Sequence, residues 1–153
     1  MAEYIQYGTN SQTVPFGQNL LLVDSIPCNR GYVVHRNGSG ILTLRGIASG
    51  CNTFARYQVT FNGNIAIPTG GTVAAIATAL AIDGEALASS RAIVTPAAVE
   101  QYFNVTNTAI ITVSKGCCYT VALENVNAGV DGSIVDEQAI NIADGNLVVA
   151  RIA

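Results

Sequence analysis

Thr53 to Phe61 alternates more regularly than any other part of the chain. Ala55, Tyr57, Val59 and Phe61 fall on one face, and Arg56, Gln58 and Thr60 on the other. A period of two marks a half-buried β-strand. Ile41 to Ile47 alternates in the same way, with Leu42 and Leu44 opposite Ile41, Thr43 and Arg45. Asn19–Asp24, Gly31–Arg36, Ala109–Ser114, Cys117–Glu124 and Asn146–Ile152 complete the predicted strands. Two runs break the alternation. Val73–Ile82 and Leu147-Val148-Val149-Ala150 are apolar on both faces. Their second faces need cover, and a symmetric oligomer interface would supply it.

Turn residues separate these runs at short intervals: Asn37-Gly38-Ser39-Gly40, Asn62-Gly63-Asn64, Asp83-Gly84, Lys115-Gly116 and Asp144-Gly145. Asp83-Gly84 is the strongest hairpin signal, because a two-residue turn needs the positive φ that Asp and Gly adopt cheaply. It folds Val73–Ile82 back on Glu85–Ile93. A second hairpin is expected at Ser114-Lys115-Gly116, joining Ile110–Val113 to Tyr119–Leu123. Thr95-Pro96-Ala97-Ala98-Val99-Glu100-Gln101 offers a Thr cap and a Pro at the first helical position, enough for one short helical turn. Val and Ile far outnumber Leu, as suits pleated surfaces. The pattern predicts an all-β sandwich or barrel.

Composition narrows the function classes. Half of the residues are hydrophobic and 11% are charged, with a net charge of −3. Intrinsic disorder needs the reverse balance. Nucleic-acid binding needs clustered cations, and Lys115 is the single lysine. A surface so poor in charge is kept soluble by Asn and Thr, or is hidden against other copies of the chain. The start, Met1-Ala2-Glu3-Tyr4-Ile5-Gln6, does not read as a secretory leader, so a product made in the cytoplasm is expected.

Catalytic chemistry finds little support. The cysteines, Cys28, Cys51, Cys117 and Cys118, form no Cys-x-x-Cys pair, and reduced thiols are expected. His35 lies between Val34 and Arg36 with no recognisable nucleophile pattern near it. No phosphate-binding glycine loop appears. Asp83 and Glu85 flank a turn, and Asp131, Asp136 and Glu137 sit loosely in a polar stretch. Three copies around an axis would be needed to reach the six to eight oxygens that calcium takes. No cofactor, no metal and no enzymatic activity are expected.

Several segments resemble a known family. Phe54-Ala55-Arg56-Tyr57-Gln58-Val59-Thr60-Phe61-Asn62 is similar to the central Gly-x-Tyr-x-Val-x-Phe strand of the TNF-like jelly roll, with Ala55 and Arg56 where the glycine precedes the tyrosine. Asn146-Leu147-Val148-Val149-Ala150-Arg151-Ile152 resembles its closing strand, and Ile76–Glu85 its Leu-x-x-Asn-Gly hairpin. The complement q-subcomponent head and bacillar spore-surface glycoproteins share this fold. The resemblance implies an antiparallel jelly-roll sandwich over residues 17–153, assembled as a homotrimer, with residues 1–16 as an N-terminal arm or attachment segment.

Within that frame Tyr57, Val59 and Phe61 are expected in the core. Leu147 and Val149 are expected on the closing strand near a threefold interface. Ser90–Ala98, Phe103-Asn104-Val105-Thr106 and Gly116-Cys117-Cys118-Tyr119 also resemble small prophage-encoded proteins of gut clostridia. The implied role is a non-enzymatic virion protein decorating a phage capsid, with itself and capsid protein as partners and neither nucleic acid nor membrane. The rival is a glycan- or receptor-binding module at a fibre tip or spore surface.

Overall fold

The computed structural model describes residues 2–6, 11–26, 31–126 and 138–153. Two antiparallel sheets face each other. The first contains β1 (Ala2–Gln6), β2 (Gln12–Val14), β3 (Asp24–Ile26), β6 (Phe54–Ala66), β10 (Phe103–Ser114) and β12 (Ile140–Arg151). Its order is β10-β6-β12-β1-β3, with β2 also paired to β12. The second contains β4 (Val33–His35), β5 (Leu42–Arg45), β7 (Ile76–Ile82), β8 (Glu85–Ala86), β9 (Ala92–Val94) and β11 (Cys118–Val126). Its order is β4-β5-β11-β7-β8, with β9 also paired to β7. This is an antiparallel jelly-roll sandwich.

Alternation places the core. The odd positions of β6 from Ala55 to Phe61 are fully buried, and so are Leu147 and Val149 of β12. Val59 pairs with Val149 and Phe61 with Leu147, so neighbouring strands present the same face inward. Leu42, Leu44, Leu80, Val121 and Leu123 of the second sheet join the same cluster. The Tyr57 hydroxyl reaches across the sandwich and donates to the Arg45 carbonyl at 2.5 Å. A buried phenol needs such a partner, because an unpaired hydroxyl in an apolar core is costly.

The Asp83-Gly84 hairpin forms as the chemistry predicts. Asp83 has φ 52° and Gly84 φ 83°, and Ile82 pairs with Glu85. The chain then makes one 3₁₀ turn, η1 (Ala88–Ser90), and returns so that Ile76 pairs with Val94.

Several expectations are corrected. Ser114-Lys115-Gly116 is not a hairpin, because β10 lies in the first sheet and β11 in the second. The turn carries the chain between layers, held by Gly46 N–H donating to the Cys117 carbonyl at 2.8 Å. A Cβ on Gly46 would sit 2.0 Å from the Ser114 carbonyl oxygen, so this crossing requires glycine there. Thr95–Gln101 forms no helical turn: Glu100 takes φ 58° and its N–H donates to the Ile67 carbonyl.

Within residues 1–16, expected as an arm, the described strands pair within the first sheet. Ala2–Gln6 pairs with β12 on one side and β3 on the other, and Val14 is buried in the core. Of the Asn19–Asp24 run, only Asp24 belongs to a strand; Leu20 and Leu22 bury while Leu21 and Val23 face out. Finally, β7 needs no second copy to cover it. Ala77 and Ala79 on its second face are fully buried within one chain, clustered with Val126, and Ala75 and Ala86 pack against them.

Candidate functional site

The parity that buries Tyr57, Val59, Phe61, Leu147 and Val149 turns their neighbours outward. These outward residues line up in cross-strand rows on the first sheet. Val148, Thr60 and Thr108 form one row, Ala150, Gln58 and Ile110 the next, and Asn146, Asn62 and Thr106 another. Ile110 is 62% exposed and Val148 38%. Arg56, paired with Thr112, brings a charge to this three-strand face. Its guanidinium lies over the Phe54 ring, 4.8 Å from the centroid, and its Nε donates to Thr112 Oγ1.

The polar groups of the face are partly satisfied by one another. Thr60 and Thr108 share a hydroxyl–hydroxyl bond of 3.1 Å. Asn104 Nδ2 donates to Asn62 Oδ1 at 2.9 Å and Asn64 Oδ1 at 3.3 Å. Amides and hydroxyls paired in this way lose little on desolvation, whereas charges would lose much. The face is suited to burial against another protein surface. Val148 is the large apolar closing-strand side chain on this surface, between Asn146 and Ala150. Leu147 and Val149 point into the core of the same chain.

The residues weighed for chemistry are dispersed. His35 Nε2 lies 3.1 Å from the Ser39 carbonyl oxygen. Asp83 Oδ1 accepts from the Thr120 backbone N–H and hydroxyl at 2.8 and 3.2 Å, which fixes the turn. Glu100 Oε1 accepts from the Thr69 N–H and hydroxyl and from Asn141 Nδ2. Asp131, Asp136, Glu137 and Cys28 lie outside the described residues. Among the described residues no group of three His, Cys, Asp or Glu side chains is placed to hold a metal ion. Cys51, Cys117 and Cys118 are free and exposed.

Two buried polar groups escaped the sequence reading. Asn107 accepts from the Thr78 hydroxyl and donates to the Thr78 and Ser90 carbonyls, at 2.7 to 3.1 Å, joining the two sheets along one side. Asn125 Nδ2 donates to the Val14 and Gln138 carbonyls and so ties β2 to the segment that leads into β12. Both sit at the inward parity of their strands, which is the signal that could have found them.

No family model and no curated protein matches the sequence. Among solved structures, the globular domain of zebrafish complement 1qA protein is similar, with a TM-score of 0.55 at 12% identity over 99% of this chain and 97% of that one. The EclA C-terminal domain, a sugar-binding protein, matches with a TM-score of 0.40 at 13% identity, over 94% of this chain and 80% of that one. The first likeness establishes the fold: the chain is a jelly roll of the complement-q and TNF type.

Proposed function

We propose that this protein is a non-enzymatic structural module, a homotrimeric jelly roll that decorates or caps a larger assembly. The observation that carries the reading is the outer face of the first sheet. It is poor in charge, its hydroxyls and amides are partly paired in-plane, and it exposes Ile110 and Val148. A lone soluble domain normally covers such an expanse with charge. Self-association through this face accounts for a chain in which only 11% of residues are charged. The phage particle is the assembly to test first, with the virion surface as the protein's place. That setting rests on the sequence resemblance to prophage-encoded proteins.

Light scattering on the purified protein is expected to give about three times the chain mass, as a closed cyclic assembly requires. A monomer at micromolar concentration refutes the trimer. Mass spectrometry of purified virions tests the setting separately. The rival reading, a glycan-binding module, draws on the clustered Asn62, Asn64 and Asn104 amides and on Tyr102, which is near Asn104 in sequence and 40% exposed. Saturable hits on a glycan array that vanish in Asn104→Ala would favour it.

A further inference from the structure

The sandwich is open along one side. A groove of about 560 Å³ runs between the β7–β8 hairpin and the distal half of β10. Ile82, Leu87 and Ile111 are among its apolar lining, Asp83 and Glu85 line it too, and none of its described lining residues is Lys, Arg or His. The Thr120 bonds hold the Asp83 carboxylate in place.

The neighbouring wall is a sheet edge. Among the described residues strand β10 pairs with β6 alone, through twelve consecutive register positions from Phe103 to Ser114 with no bulge. Its sequence, FNVTNTAIITVS, holds no charge, proline or glycine. Natural edge strands are ordinarily guarded by one of these devices or by cover. Near Asn107 the edge is covered, since that side chain bonds the Ser90 and Thr78 carbonyls. From Ile110 onward the groove lies beside it.

We propose that the groove takes an extended segment of another polypeptide, which adds as a strand to the free edge of β10 and sets a Lys or Arg side chain against Asp83 and Glu85. Strand addition draws affinity from main-chain hydrogen bonds and specificity from alternate side chains. Here the apolar floor would take the inward residues, and the two carboxylates favour a cation. The groove adjoins the face proposed for trimer contact at Ile110 and Thr112, while Val148 itself does not line it, so peptide binding and chain mass are read separately.

The test pans the full-length protein against random peptides of about twelve residues, long enough to span a strand. Enriched peptides are then titrated by fluorescence polarisation. They are expected to alternate apolar and polar residues and to carry Lys or Arg. Glu85→Lys should weaken them roughly tenfold, since it replaces attraction by repulsion at a rim site. Val148→Asp, whose side chain does not line the groove, should still bind the peptides whatever its mass in light scattering. N-methylation of alternate peptide nitrogens should abolish binding in one register and spare it in the other. Failure to enrich any peptide, equal binding to Glu85→Lys, or tolerance of N-methylation in both registers overturns the proposal. Light scattering on the same samples reports the trimer independently.

Discussion

Two stretches of this chain are apolar on both faces in sequence, and the fold treats them differently. Along β7 the core side carries Ile76 and Leu80, while the other side carries Ala77, Ala79 and Ala81, all buried within the chain. Along β12 the core side carries Leu147 and Val149, while Val148 remains 38% exposed. The difference lies in side-chain size. A row of alanines makes a shallow surface that nearby parts of the same chain can cover. Valine among threonines on a broad three-strand face has no such cover. A doubly apolar strand therefore does not announce an oligomer unless its outward residues are large enough to remain exposed.

Substitutions at adjacent positions break this comparison most sharply. Val149→Asp puts an unpaired carboxylate in the core opposite Val59. The cost is several kcal/mol, about the whole stability of a typical domain. Circular dichroism should show an unfolded or aggregated chain at room temperature. Ala79→Leu comes next. Forcing extra methylenes into the covered alanine face should cost about 1–3 kcal/mol, read as a lowered urea midpoint with the slope unchanged. Val148→Asp, one residue from the first substitution, should leave the protomer's fold intact. Surface changes of this kind stay within about 0.5 kcal/mol. Its effect should appear in assembly, with the mass in light scattering falling from about three chains to one. A folded trimer in Val148→Asp removes the first sheet's outer face from the interface.

The core was legible because alternation is local. Residues 55 to 61 state their own inward face, and Asp83-Gly84 states its own turn. What was not legible depends on distant partners. Ser114-Lys115-Gly116 has the chemistry of a hairpin, yet Cys118 pairs with Arg45 and Ser114 with Phe54, so the two strands part into different sheets. Ala2–Gln6 has no clear alternation and becomes a strand because β12, from Asn146 to Ala150, lies beside it. The cap signals at Thr95-Pro96 lose to tertiary bonding by Glu100. The candidate face was hidden for another reason. Gln58, Thr60 and Asn62 read as an ordinary wet side until Thr106, Thr108 and Val148 are placed beside them.

The smallest effect probes how dry the alanine face is. Glu124 pairs with Ala79, on the outward parity of β11. Burial raises its carboxyl pKa above the ordinary value. A carboxyl whose folded pKa lies above its unfolded pKa binds protons more readily when folded. Its contribution is fully present below the unfolded pKa and is lost as pH rises through the folded one. Thermal unfolding of the wild type should therefore show a small fall in Tm from mildly acidic to neutral pH. Glu124→Gln keeps the shape, removes the titration, and should flatten that slope while slightly raising Tm at neutral pH. An equal slope in the variant would mean that Glu124 is as wet as the Val148 row, and that the two outer faces differ less in solvation than their packing indicates.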